Sequence, residues 1–304
     1  MSKERSLELP DGRTLSYTTY NASLNLQLPV VFYFHGFPGT HDEGRPVYDA
    51  AHRRSILVVG VTRPSFGDST QDQSRTLLSF PSDIMCLADH LGIQRFAIMG
   101  VSGGGPYALA CLYLLPSDRL RSVAIVSGMW PLSLGTAGMM LHLRIMHNLA
   151  LWVPGLVGWM VGLEMGGPAK DTEHPEKFDD LMMRGFRRWP EEDQEVVFGN
   201  DAKLFTVLSE SSRKALKQGT GGFSVESYIL SSPWGFLLED LPSDGRLVIW
   251  HGGKDANVPI SMADQAAKLM PYAKYHKYDD EAHVSLVVKY LDEILDELTK
   301  GYGA

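Results

Sequence analysis

One serine in this sequence stands where a side chain could act as a nucleophile. Gly100-Val101-Ser102-Gly103-Gly104 fits the pattern G-x-S-x-G, with the apolar run Phe96-Ala97-Ile98-Met99 directly before it and a helix-forming run at 106–115 directly after. Glycines on both sides of Ser102 allow a sharp strand-to-helix turn, and the helix N-terminus directs positive dipole character toward an oxyanion formed there. A β-carbon at position 100 or 104 would crowd that turn. The competing use of such a turn is a phosphate cradle, but neither G-x-G-x-x-G nor G-x-x-x-x-G-K-[ST] can be laid on these residues.

A serine hydroxyl at its ordinary pKa is a poor nucleophile and needs a base within hydrogen-bond reach. Of the ten histidines, His283 is the best placed, because Asp279-Asp280-Glu281-Ala282-His283 is a polar loop between the last predicted strand and the final helix. His35 and His251 also follow strands, but each precedes a glycine and reads as part of a tight loop. His41, His52, His90, His142, His147, His174 and His276 read as surface or packing residues, with a reservation for those in the strandless middle of the chain. Asp255, in Gly252-Gly253-Lys254-Asp255-Ala256-Asn257 just past an apolar run, is the candidate for the acid that orients the imidazole. Asp279, Asp280 and Glu281 are its rivals.

These residues need elements to position them. The continuous apolar runs Val30-Val31-Phe32-Tyr33-Phe34, Ile56-Leu57-Val58-Val59-Gly60-Val61, Phe96-Ala97-Ile98-Met99-Gly100-Val101, Val123-Ala124-Ile125-Val126 and Leu247-Val248-Ile249-Trp250 read as parallel strands buried on both faces. A further strand is read at 273–278, and helices at 80–91, 261–270 and 284–299. The alternation of strand and helix gives an α/β fold with a mostly parallel central sheet. Residues 7–20 carry a Pro10-Asp11-Gly12-Arg13 turn signal between β-prone runs, hence an edge hairpin. From 131 to 222 no strand is legible, and the chain divides into a core at 1–130, a helical cap insertion at 131–222 and a second core part at 223–304.

Within the insertion, 149–163 is strongly apolar but interrupted by Pro154 and short for a membrane span. It is expected to pack on the sheet edge and line a hydrophobic pocket over Ser102, with weak membrane contact through the cap as the alternative. Met139, Met140, Met146, Met160 and Met165 would make that wall adaptable and favour a bulky or greasy substrate.

The 304 residues are 44% hydrophobic and 21% charged, an ordinary globular composition. A formal net charge of −8 and the absence of any Lys/Arg-rich run argue against nucleic acid as a partner. Cys86 and Cys111 lie in apolar helical stretches and read as buried thiols rather than as a disulfide or metal site. No cofactor or metal motif is visible. The first ten residues lack the apolar core of a leader, so the chain reads as soluble and cytoplasmic, and the sequon Asn21-Ala22-Ser23 as chance. Oligomeric state is left open.

The order Ser, acid, His resembles that of the α/β-hydrolase superfamily. The stretches Phe34-His35-Gly36-Phe37-Pro38-Gly39, Arg63-Pro64-Ser65-Phe66-Gly67-Asp68-Ser69 and Ser102-Gly103-Gly104-Gly105-Pro106-Tyr107 look like those of its capped serine hydrolases, the esterase and lipase-like branch. The resemblance implies that His283 and Asp255 occupy the places of the catalytic histidine and acid, and that His35 is the oxyanion-loop histidine. Attack by Ser102 would place charge on the carbonyl oxygen, with the Gly103 amide as one donor and, by the family pattern, the Phe37 amide as the other. The implied function is hydrolysis of a carboxylic ester or thioester of a hydrophobic substrate through an acyl-enzyme. Carbon–carbon bond hydrolysis, perhydrolase or lyase chemistry on the same fold is the alternative, and a noncatalytic ligand-binding protein a second one. Serine at position 102 argues against the epoxide-hydrolase and dehalogenase branches, which use a carboxylate there.

Overall fold

The computed structural model describes residues 3–20 and 26–300. Met1 and Ser2 of the amino-terminal segment and the Asn21-Ala22-Ser23 sequon lie outside the described residues. Among the described residues, eight strands form one sheet: β1 (Lys3–Glu8), β2 (Thr14–Thr19), β3 (Val30–Phe34), β4 (Leu57–Val61), β5 (Phe96–Val101), β6 (Leu120–Val126), β7 (Leu247–Gly252) and β8 (Lys274–Tyr278). Their order is β1-β2-β4-β3-β5-β6-β7-β8. The expected hairpin is present, its turn closed by the Leu9 N–H to the Arg13 carbonyl at 2.7 Å and the Gly12 N–H to the Leu9 carbonyl at 2.9 Å. From β4 to β8 all neighbours are parallel.

Successive residues of each central strand face opposite sides, as the two-residue period of a strand requires. Phe32, Phe34, Phe96 and Ile98 join one buried cluster, with side chains from α2 (Phe80–His90), α3 (Gly105–Leu114) and α10 (Ile260–Leu269). Val31, Tyr33, Ala97 and Met99 join the other, against α1 (Arg45–Arg53) and α11 (His283–Leu298). Burial on both faces explains why these strands read as unbroken apolar runs, since each fully buried Val, Leu, Ile or Phe contributes about 1.5–3 kcal/mol. Because β3 pairs with both β4 and β5, the chain changes direction beside β3, and the loops leaving β3 and β5 emerge side by side. A crevice outside the carboxyl ends of strands at such a switch is where open α/β sheets bind ligands.

Between β6 and β7 the described residues form helices only: α4 (Leu141–Trp152), α5 (Pro154–Val161), α6 (Gly167–Lys170), α7 (Glu176–Phe186), α8 (Glu191–Ala215) and α9 (Gly221–Ser231). α8 is interrupted at residues 199–202 by non-helical backbone. The insertion has its own apolar clusters, one around Ala150, Val157, Phe178 and Leu216 and one around Phe186, Val197 and Phe205.

The apolar run at 149–163 does not do what its composition suggests. Ala150 and Val157 turn inward, but Trp152 is 85% exposed, Leu163 68% and Trp159 61%. A helix that is apolar all round can bury only the faces that meet a neighbour, and α4 and α5 pack on α9 and on each other with these side chains left outside. Cys111 is buried as expected, whereas Cys86 is only half-buried on α2, and both are free thiols. No helix among the described residues is long and apolar enough to cross a membrane.

Candidate active site

Ser102 follows β5 directly and has φ +51°, left-handed backbone that a residue with a β-carbon adopts only under constraint. The flanking glycines show that constraint. A β-carbon on Gly100 would lie 2.7 Å from the Gly104 carbonyl oxygen, and one on Gly104 would lie 2.3 Å from the Phe34 oxygen. Behind Ser102 the chain makes one 3-10 turn (Ser102–Gly104) and enters α3, which has a proline in its first turn, where a missing N–H costs nothing.

The register that sets Phe34 beside Gly100 brings the two strand-end loops together. A β-carbon on Gly103 would come within 2.8 Å of the Phe37 Cβ and 3.4 Å of its amide nitrogen. Most other polar groups of the β3 loop are tied off. Arg63 donates to the His35 carbonyl at 2.5 Å and the Gly36 carbonyl at 2.8 Å, and Glu43 accepts from the Gly36 N–H at 2.8 Å. The Phe37 N–H has no partner among the described residues, and Gly103 lies in a helix's first turn, where N–H groups lack intrahelical acceptors.

Arg63 is itself anchored by Glu226 of α9, at 2.8 Å. The second oxygen of Glu226 takes Arg75 at 2.6 Å and the Tyr107 hydroxyl at 2.7 Å. Burial alone would raise the Glu226 carboxyl, but the two guanidinium groups hold it below its ordinary value. His35 is fully buried, and burial together with Arg63 keeps its imidazole neutral, well below its ordinary pKa.

Past β7, Asp255 accepts the Asn257 and Val258 N–H groups on one oxygen at 2.9 and 2.8 Å. Its other oxygen lies 2.7 Å from His283 Nδ1. Since a carboxylate oxygen can only accept, Nδ1 carries the proton and Nε2 is left as the acceptor. The rival acids fall away: Asp279 and Asp280 are exposed, and Glu281 pairs with Lys289 at 3.0 Å. His251 turns its Nε2 to the Val258 carbonyl at 2.8 Å, a loop-closing bond as its sequence setting implied. Burial pushes the His283 pKa down, but the carboxylates of Asp255, Asp193 and Glu43 outweigh it, and the value lies above the ordinary one.

Ser102, Gly103, Phe37 and His283 line one cavity of about 240 Å³, and Asp255 sits behind His283. The helices between β6 and β7 supply His142, Leu143, Met146, His147, Trp189 and Leu230 to its wall. Of the five methionines singled out in the sequence only Met146 reaches the cavity, joined by Met129; Met139 is buried in the sheet core and Met160 is largely exposed. His147 is buried, bonded through Nδ1 to the Ser231 hydroxyl at 2.8 Å, and burial lowers its pKa to about 4. A larger hollow of about 860 Å³ between the α4 surface and the segment after α9 contains none of Ser102, Asp255 or His283.

Two residues that sequence reasoning did not single out hold the site from the helices between β6 and β7, Glu226 on α9 and Asp193 on α8. Each falls on the face of its helix that carries buried apolar residues, Glu226 with Phe223 and Leu230, Asp193 with Val197. For Glu226, a lone acid at helical spacing from such residues was the available signal; Asp193, among Glu191, Glu192 and Glu195, carried none. Among the described residues no cluster of His, Cys, Asp or Glu could hold a metal ion.

Comparison with known proteins identifies the fold. A family model described as alpha/beta hydrolase fold matches residues 29–290. No curated protein matches the sequence. Among solved structures, an esterase from Exiguobacterium antarcticum is similar with a TM-score of 0.62 at 13% identity, covering 99% of this chain and 100% of its own. A carboxylesterase structure from the thaumarchaeon Nitrososphaera gargenis gives 0.68 at 14% identity, covering 97% and 96%. An epoxide hydrolase from metagenomes of hot environments gives 0.59 at 17% identity, covering 99% of each. At such identities the likeness is one of fold.

Proposed function

The chain belongs to the alpha/beta hydrolase fold family, and from that premise we propose that it is a serine hydrolase of carboxylic esters or thioesters with a hydrophobic acyl or alcohol part. The observation that carries the reading is the buried 2.7 Å bond from His283 Nδ1 to Asp255, in a side chain that shares its cavity with Ser102 on a strained turn. In this reading the free Nε2 of His283 takes the Ser102 proton as Oγ attacks the carbonyl carbon, and Asp255 stabilises the imidazolium that results. The carbonyl oxygen becomes an oxyanion held by the Phe37 and Gly103 amides. Collapse expels the alcohol or thiol, which receives the proton from His283. Water, deprotonated by the same nitrogen, then releases the acid and restores Ser102.

The helical insertion, read at 131–222, serves as the cap. Its Leu143, Met146 and Trp189 make the cavity wall largely apolar, which favours an uncharged, greasy group next to the scissile bond. Two free thiols fit a reducing compartment such as the cytoplasm.

A fluorophosphonate probe tests the reading. Labelling is expected at Ser102 in the wild type, and Ser102→Ala is expected to abolish it and to lower ester turnover about 10⁴-fold or more. A folded wild type that resists the probe, or that cleaves a vinylogous diketone while leaving aryl esters intact, would sink it.

A further inference from the structure

The insertion reaches the candidate base from behind. Asp193 lies in the first turn of α8 and is fully buried. One of its oxygens accepts the Val284 and Ser285 N–H groups at 2.7 and 2.9 Å, and the other accepts the His283 N–H at 3.2 Å. These amides open α11, and a helix leaves its first N–H groups without intrahelical acceptors. The residue in the local capping position, Ala282, has no side-chain oxygen to offer. The cap of α11 therefore comes from a helix 90 residues earlier in the chain.

Other contacts run the same way. Trp189, just ahead of α8, sets its ring edge-on to the His283 imidazole at 6.0 Å and 89°. Glu192 reaches outward to Lys254 at 2.5 Å. The charged and titratable groups that bear on His283 are Asp255, Asp193 and Glu43, together with His251, whose Nε2 is 3.5 Å from the Asp255 oxygen that faces His283. Asp255, Glu43 and His251 belong to the sheet's own loops; of these carboxylates only Asp193 belongs to the insertion. It occupies the point where the positive ends of α8 and α11 meet, a setting that suits an anion. Burial raises its pKa, while the imidazolium and the Val284 and Ser285 N–H groups pull it back.

We propose that Asp193 is a positioning residue: by capping α11 from the insertion it fixes the backbone that carries His283, so the base is in place only while the insertion is seated. The inference rests on the hydrolase reading above. It means that a substrate large enough to displace the start of α8 also loosens the base. Cleavage is thereby confined to ligands over which the insertion can close.

The test compares full-length wild type, Asp193→Asn and Glu192→Gln. The asparagine keeps the volume and one acceptor oxygen but removes the charge and the second acceptor. Turnover of a p-nitrophenyl ester is expected to show kcat lowered about tenfold in Asp193→Asn with KM nearly unchanged. The acidic limb of its pH profile should move down by about half a unit to one unit, because the imidazole loses a nearby negative charge. Glu192→Gln, which removes only the exposed pair on the same turn, should keep the wild-type kcat and limb. A folded Asp193→Asn with wild-type kcat and limb would overturn the proposal, as would Glu192→Gln reproducing its effects.

Hydrogen exchange on the wild type gives a second readout that does not depend on a variant folding. The amides of Val284 and Ser285 should become exposed together with those of the first turns of α8. Exchange tied to the interior of α11 instead would count against the coupling. Failure of wild-type labelling at Ser102 would remove the hydrolase reading, and the exchange result would still decide whether the insertion holds α11.

Discussion

The strand-end loops and the helical insertion meet at one cavity but are built on opposite terms. In the loops, polar side chains are buried and bonded to backbone: His35, Arg63 and His251 are all fully inaccessible, and each bonds a backbone group of its own or a neighbouring loop. In the insertion, apolar side chains are left outside, with Trp152, Trp159 and Leu163 facing solvent. The first arrangement is held by buried bonds from side chains to backbone, such as those of Arg63 to the His35 and Gly36 carbonyls. The second is tied to the loops and to α11 by polar contacts spread from α8 to α9, among them Asp193 on the start of α11, the Ser211 hydroxyl accepting the Thr40 N–H, Gln218 on the Gly67 and Ser69 carbonyls, and Glu226 on Arg63. In the proposed reading the chemistry belongs to the loops and the choice of substrate to the insertion.

The comparison breaks if a loop variant is mild or a wall variant is severe. Asp255→Asn should be the harshest of these changes, lowering kcat about 10⁴-fold by allowing the wrong imidazole tautomer. The wild-type acidic limb should lie above 6.5, since the surrounding carboxylates outweigh burial and raise the His283 pKa. The sign is fixed by the role of the base: as pH falls through that raised value the imidazole gains a proton and kcat/KM falls. Measured profiles of wild type and Asp255→Asn check both the depth and the direction, the variant's limb moving down.

Glu226→Gln tests the joint rather than the chemistry. Two buried guanidinium groups would lose their shared counter-charge, and breaking a buried pair costs about 3–5 kcal/mol, read by chemical denaturation. Since the folded-state pKa of Glu226 is depressed, its contribution is present above the unfolded value and is lost as pH falls below 4.5 through the folded one. Met146→Ala, on the wall, should leave kcat on short acyl esters close to wild type and change the long-to-short ratio of kcat/KM by roughly tenfold. The smallest effect belongs to Trp152→Ser, for which a stability change within about 0.5 kcal/mol is expected from thermal unfolding.

The same division governs what could be read in the sequence. Ser102, Asp255 and His283 each follow a strand closely: a short motif in its strand-turn-helix context singled out Ser102, position and chain order His283, and chain order with the family resemblance Asp255, while the unbroken apolar runs located the strands. Gly100 and Gly104 were legible for the same reason, since a local turn depends on local residues. Asp193 was not. It sits among Glu191, Glu192 and Glu195 in what reads as a solvated acidic turn, and only packing against α11 sets it apart. The run at 149–163 misled for a related reason: hydrophobicity shows that a helix can be buried, whereas the number of neighbours decides how much of it is. The wall of the cavity, formed by residues such as His142, Met146 and Trp189 on separate helices, has no linear signature.

The distribution of tryptophans makes the molecule its own optical probe. Of the six, Trp130, Trp234 and Trp250 are buried, Trp152 and Trp159 face water, and Trp189 stands in the cavity wall beside His283. A soluble quencher will darken the outer pair first and leave the buried emitters bright. The remaining change on adding a ligand then reports on Trp189, so occupancy of the cavity can be followed by fluorescence without a chromogenic substrate.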